Sequence, residues 1–296
     1  MNDTAIDHYK TAIQLLMTYK EKTGDEEYLQ KTVHLHSLVG DSYNSINDDT
    51  NATEYYEKAL KYNVLPFSMT DELHTNLSDL YKKNDQKYLM VIEHLKQSLN
   101  IKANNDNEND KNILDIASLN NDIGWHYYII DDCDLALLHC QITMTLYEKH
   151  SGILNKNMDY ANVLSSLDVI CYKSKDYNKA WNYCWRSMSI LKQDMSSIDD
   201  YDTAYACNYE ILGNIYLSKN KKNLAYNCLK KALSLFKKQE SNSYSNNIAA
   251  IEQSFDQKFN IDDVYYDVDD EFEWTTKDIN SVEGLPSPPT TKRKKF

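Results

Sequence analysis

Small and apolar residues recur along this chain at fixed intervals. In Val39-Gly40-x-x-Tyr43 the glycine is followed twelve residues later by Ala52, then by Tyr56 and Ala59-Leu60. Ile123-Gly124-x-x-Tyr127 repeats the spacing with Ala136, Cys140 and Thr143-Met144, and Leu212-Gly213-x-x-Tyr216 repeats it with Ala225, Leu229 and Ala232-Leu233. Two weaker copies lie between them. Leu77-Ser78-x-x-Tyr81 leads to Val91, Leu95 and Ser98-Leu99, and Leu167-Asp168-x-x-Cys171 leads to Ala180, Cys184 and Ser187-Met188. Ala5, Tyr9 and Ala12-Ile13 open the chain with the second half of the pattern alone. Such spacing predicts helix pairs: small residues let two helices approach closely, and the aromatic positions fill the space beside that contact. Ser245–Phe259 places Ile248, Ile251, Phe255 and Phe259 at helical spacing, which predicts a helix that caps the end of the core.

These residues resemble the tetratricopeptide repeat family. The resemblance implies an all-α, right-handed α-solenoid of about five helix pairs, with an N-terminal half-pair and a C-terminal capping helix, over residues 1–260. Successive glycine-equivalent positions (40, 78, 124, 168 and 213) lie 38, 46, 44 and 45 residues apart, against a usual period of about 34. The turns within pairs keep their length, so the additional residues lie between pairs, in longer helices and in loops such as Ala103–Lys111. In this respect the chain resembles long-period variants such as kinesin light chain-like repeats.

Composition fits long helices. The 296 residues include only 6 Gly and 4 Pro, whereas sheets with tight turns use both heavily. The first twenty residues hold no basic segment followed by an apolar core, and no apolar run nears the roughly 20 residues that span a bilayer. The expected location is nuclear or cytoplasmic, not secreted, so the 6 Cys read as reduced thiols packed in helices. A net charge of −13 argues against direct binding of nucleic acid or an anionic membrane and suits a basic protein partner.

No phosphate loop, nucleophile elbow, zinc-helix motif or paired Cys/His spacing is present, so neither an enzyme nor a cofactor is expected. His34 and His36 point about 200° apart on a helix and cannot share a metal ion. The family resemblance instead implies a protein-interaction scaffold or adaptor whose first helices line a peptide groove. The positions it assigns to that groove start with His34, Ser37, Asp41 and Asn44, then Glu72, Thr75, Asp79 and Lys82. They continue through Ser118, Asn121, Trp125 and Tyr128, then Asn162, Ser165, Val169 and Tyr172, and end with Cys207, Glu210, Asn214 and Leu217. Side-chain amides suit an extended backbone, and the aromatic middle suits an anchor residue. The carboxylate clamp of chaperone-binding repeats needs Lys and Arg in this stripe, where Lys82 is the sole cation, so that role is not expected.

From Ile261 the composition changes. Asp262–Glu273 holds seven acidic residues, and the segment reads as a disordered tail. Tyr265, Tyr266, Asp269, Asp270, Glu271, Phe272, Glu273 and Trp274 resemble the acidic-aromatic segments of histone chaperones, which would imply a basic, histone-like partner. Lys292, Arg293, Lys294 and Lys295 resemble a nuclear import signal. The alternatives to a groove-binding scaffold are therefore a nuclear histone-binding factor acting through the tail, and a regulatory subunit of an enzyme complex.

Overall fold

The computed structural model describes residues 2–62, 66–83, 87–104, 110–150, 157–193, 198–239 and 244–259. Twelve helices and no strand occur among them. The chain divides into two compact units at Asp131 and Asp132. The first unit holds α1 (Asn2–Thr23), α2 (Glu26–Ser45), α3 (Asp49–Leu60), α4 (Phe67–Lys82), α5 (Tyr88–Ala103) and α6 (Asp110–Ile129). The second holds α7 (Cys133–Lys149), α8 (Asn157–Lys173), α9 (Tyr177–Gln193), α10 (Ile198–Ser218), α11 (Lys222–Lys238) and α12 (Ser245–Lys258). Within each unit every helix packs on its neighbours in chain order, and α8 also packs on α10. This is the all-α, repeat-stacked class that the spacing implies.

The pattern residues are the core. Ala52, Tyr56 and Ala59 on α3, Val91, Leu95 and Ser98 on α5, and Ala136, Cys140 and Thr143 on α7 are buried. So are Ala180, Cys184 and Ser187 on α9 and Ala225, Leu229 and Ala232 on α11. Two glycines explain why the small position matters. A Cβ on Gly40 would lie 2.5 Å from the Tyr56 ring, and one on Gly213 would lie 2.6 Å from Leu229 Cγ. At the opening half-copy the burial is weaker: Ala5, Tyr9 and Ala12 are half-buried.

The turns repeat as strictly as the helices. Asn47, Asp131, Lys175 and Asn220 all sit seven residues after the glycine-equivalent position, and all have positive φ (60°, 71°, 62° and 57°). At these four turns the left-handed residue follows the first helix, and the next amide bonds back to the carbonyl five residues earlier at Asp48, Asp176 and Lys221. Asp48, Asp132 and Asp176 then cap the following helix, accepting from the amides of Asn51, Leu135 and Lys179 at 3.1, 3.1 and 3.2 Å. One left-handed residue followed by an N-cap makes a short hairpin of fixed geometry.

In the second unit Trp181, Tyr216 and Phe236 are fully buried. Helix α12 covers the end of this core: Ile251 is buried, and Phe255 and Phe259 meet the Tyr226 ring edge-on at 5.2 and 5.5 Å. The acidic-aromatic residues Tyr265, Tyr266, Asp269–Trp274 and the basic cluster Lys292–Lys295 lie outside the described residues.

Candidate peptide-binding faces

Helices α2, α4 and α6 carry the candidate face of the first unit. Buried residues on one side of each helix fix its rotation, which leaves Asp41, Glu72, Asp79 and Trp125 exposed and Asn44, Asn121 and Tyr128 half-buried. Asp41 Oδ1 accepts 2.8 Å from the hydroxyl of buried Tyr56, so this face is anchored to the pair contact beneath it. Burial, reinforced by Asp41, pushes the Tyr56 hydroxyl pKa up, so it stays a donor. Lys82 is not a free cation: its Nζ lies 3.0 Å from Asp79 and 3.5 Å from Asp122 on the next first helix. Trp125 and Tyr128, one turn apart, stack with ring centroids 5.2 Å apart, and Trp125 remains 40% exposed. Asn121 Oδ1 is buried without a hydrogen-bond partner.

In the second unit the face is carried by α8 and α10, with Asn162 exposed on α8. Tyr172, Asn214 and Leu217 line one recess of about 460 Å³ together with Lys222 and Lys258. The two lysines were absent from the sequence stripe because α11 and α12 supply them. Glu210 is tied down, accepting 2.8 Å from Asn247 Nδ2 on α12, and burial raises its carboxyl pKa. Asn247 was legible only as the neighbour of the apolar stripe that begins at Ile248. Ser165 is inward-turned, donating 3.2 Å to the amide oxygen of buried Asn208.

Cys140, Cys171, Cys184 and Cys228 are buried in the core. Burial pushes the Cys140, Cys171 and Cys207 thiols up to about 12, and all six cysteines are free. Thiols held that high are poor nucleophiles at neutral pH. His34 is exposed while His36 is buried, as their spacing requires. No group of three or more metal-ligating side chains, and no helix long and apolar enough to cross a membrane, occurs among the described residues.

The tetratricopeptide repeat model matches residues 33–63 and 208–239, which are the regions of Gly40 and Gly213. Over those two stretches the chain matches the tetratricopeptide repeat. Among solved structures it is similar to BtubC (BKLC) from P. vanneervenii, with a TM-score of 0.52 and 14% identity over 93% of this chain and 99% of that one. That likeness concerns the fold. It is also similar to MamA (TM-score 0.49, 20% identity, 72% of this chain and 96% of that one). YrrB, described as a TPR protein with an unusual peptide-binding site, matches with a TM-score of 0.47 and 14% identity over 79% and 97% of the two chains. No curated protein matches the chain.

Proposed function

We propose that this tetratricopeptide-repeat chain is a non-catalytic scaffold that takes an extended segment of another protein along the exposed faces of its first helices. The observation that carries the reading is the first unit's face. There Asp41 on α2 and Glu72 and Asp79 on α4 are exposed, α6 presents a stacked, part-exposed Trp125–Tyr128 pair, and Lys82, the only cation of the stripe, is paired with Asp79 and with Asp122 of α6. The partner that suits it is a basic segment with one large apolar side chain: carboxylates meet Lys or Arg at the edge, and the aromatic pair receives the anchor. Half-buried Asn44 and Asn121 offer amides to the segment's backbone.

Affinity capture with three forms of the chain tests this. Partners held by wild type and by a 1–259 truncation, yet released by Asp79→Ala/Trp125→Ala/Tyr128→Ala, are groove partners. Loss of every partner on truncation, with the triple variant still binding, would move the function to residues 260–296 and refute the groove.

A further inference from the structure

One recess of this strongly acidic chain is lined by three lysines and no carboxylate, and it shares no residue with the proposed groove. Residues of α1, α2 and α3, with Lys61 and Tyr62 just after α3, border an open recess of about 450 Å³. Ile13 and Met17 on α1 line it with apolar surface, and Tyr55 and Tyr62 add aromatic surface. Three lysines stand around it: Lys10, Lys58 and Lys61. Lys10 Nζ donates 2.7 Å to Tyr43 Oη and lies 5.6 Å from the Tyr55 ring centre, and Lys58 Nζ lies 4.4 Å from that same centre. The local counter-charge is small. Glu54 pairs with Lys58 at 2.6 Å, and Lys61 has no ion-pair partner among the described residues.

A second observation points into the same space. His36 occupies the large-side-chain position four residues before Gly40 and is only 8% exposed, yet its Nδ1 has no hydrogen-bond partner. Its ring is held by Tyr55 and Tyr62, with centroids at 5.9 and 6.4 Å, and it lines the recess. Buried polar atoms are normally satisfied, and one left open beside a cavity asks for a partner. Burial, and secondarily Lys58, lowers the His36 pKa, so the ring is neutral and can donate or accept one bond there.

We infer that this recess is a second binding site, for an acidic peptide segment that carries an aromatic side chain. The aromatic ring enters between Tyr55, Tyr62, Ile13 and Met17. Flanking carboxylates meet Lys10, Lys58 and Lys61, and a carboxylate or backbone group completes the hydrogen bond to His36 Nδ1. The apolar lining separates this class from simple inorganic anions, which would leave the aromatic surface uncovered. The two sites have opposite charge preference, so one chain can hold a basic and an acidic segment at the same time.

The test uses the full chain and a fluorescein-labelled probe, acetyl-Glu-Asp-Glu-Phe-Glu-Asp, with binding read by anisotropy. The double variant Lys58→Glu/Lys61→Glu alters one half-buried and one exposed lysine, and its helicity and melting curve serve as the folding control. It should weaken the probe by about tenfold or more, because two attractions become repulsions. His36→Phe keeps a ring at the core position and should weaken binding several-fold while leaving the melt intact. Asp79→Ala/Trp125→Ala/Tyr128→Ala should leave the probe's affinity unchanged, which separates this site from the groove. The inference is overturned if the probe does not bind or if the lysine reversal leaves its affinity unchanged. It is equally overturned if a probe with Ala in place of Phe, or inorganic phosphate as competitor, does as well as the parent peptide.

Discussion

Gly213 supplies the sharpest test of the repeat register. A methyl group there would stand 2.6 Å from Leu229 Cγ, 2.8 Å from its Cδ2 and 3.3 Å from the Ala225 carbonyl oxygen. Carbon atoms rest about 3.5–4.0 Å apart, so Leu229 must retreat by roughly 1 Å. It has nowhere to go: Leu229 is 1% exposed and packs in a core that includes Ala225, Ala232 and Phe236. Replacing a mid-helix Gly by Ala would by itself stabilise by about 1 kcal/mol, and overpacking costs about 1–3 kcal/mol. Gly213→Ala should therefore be destabilising by about 0–2 kcal/mol, and Gly213→Leu by more. The decisive variant is the double one. Leu229→Ala alone should cost about 2–5 kcal/mol through its cavity. In that background the added methyl enters vacated space, so Gly213→Ala becomes neutral or stabilising, with a coupling of about 1–3 kcal/mol. Urea unfolding followed by tryptophan fluorescence reports on the second unit through buried Trp181. Gly24→Ala is the control: with φ +71° and nothing within 4 Å, it should be destabilised by backbone strain alone, whatever happens at Leu229. Additive effects of Gly213→Ala and Leu229→Ala would show that the two helices do not meet through this glycine.

Other expectations follow from single buried or strained groups. Asp168 is 1% exposed and neither carboxylate oxygen has a hydrogen bond of ordinary geometry, so burial raises its pKa well above the usual value, opposed only weakly by the Cys184 thiol and the Val169 amide. The unfolded chain gives up this proton first as pH rises, so stability should fall with pH above the ordinary carboxyl range; Asp168→Ala should abolish that slope and stabilise by about 1–3 kcal/mol at neutral pH, and an unchanged melt would refute it. Lys175 holds φ +62° without glycine's freedom, so Lys175→Gly should gain about 1 kcal/mol in thermal melts, more than Asn47→Gly does. His74 Nδ1 and His94 Nδ1 lie 2.9 Å apart, and burial, then His94, lowers the His74 pKa from 6.5 to about 4. The unfolded chain binds this proton first as pH falls, so stability should drop between pH 6.5 and 4, and His74→Phe should flatten that limb.

The helix pairs were legible because their close contacts use residues of unusual size. Glycine at 40 and 213 and alanine at 52, 59, 225 and 232 have no other reason to recur at one spacing. The left-handed turn residues were not legible from type alone, since Asn, Asp, Lys and Asn share that position; only the register exposes them. Asp168 read as a degraded small residue, and its burial without a partner is a property of the packed core. The stripe from Asp41 to Leu217 follows from helix rotation, which the buried pattern determines. Its electrostatics do not: Asp122 neutralises Lys82 from the next first helix, and Asn247 and Lys258 reach the second unit's face from α12. The basic recess was invisible for the same reason, because Lys10, Lys58 and His36 converge only when α1, α2 and α3 stack.

The central claim is that first-helix faces bind extended protein segments. Selection of a random displayed peptide library against the full chain, with counter-selection against Asp79→Ala/Trp125→Ala/Tyr128→Ala, tests it directly. Enriched peptides should combine Lys or Arg with a large apolar residue and lose binding to the triple variant. Peptides that bind wild type and triple variant equally, or that lack any basic preference, would contradict it.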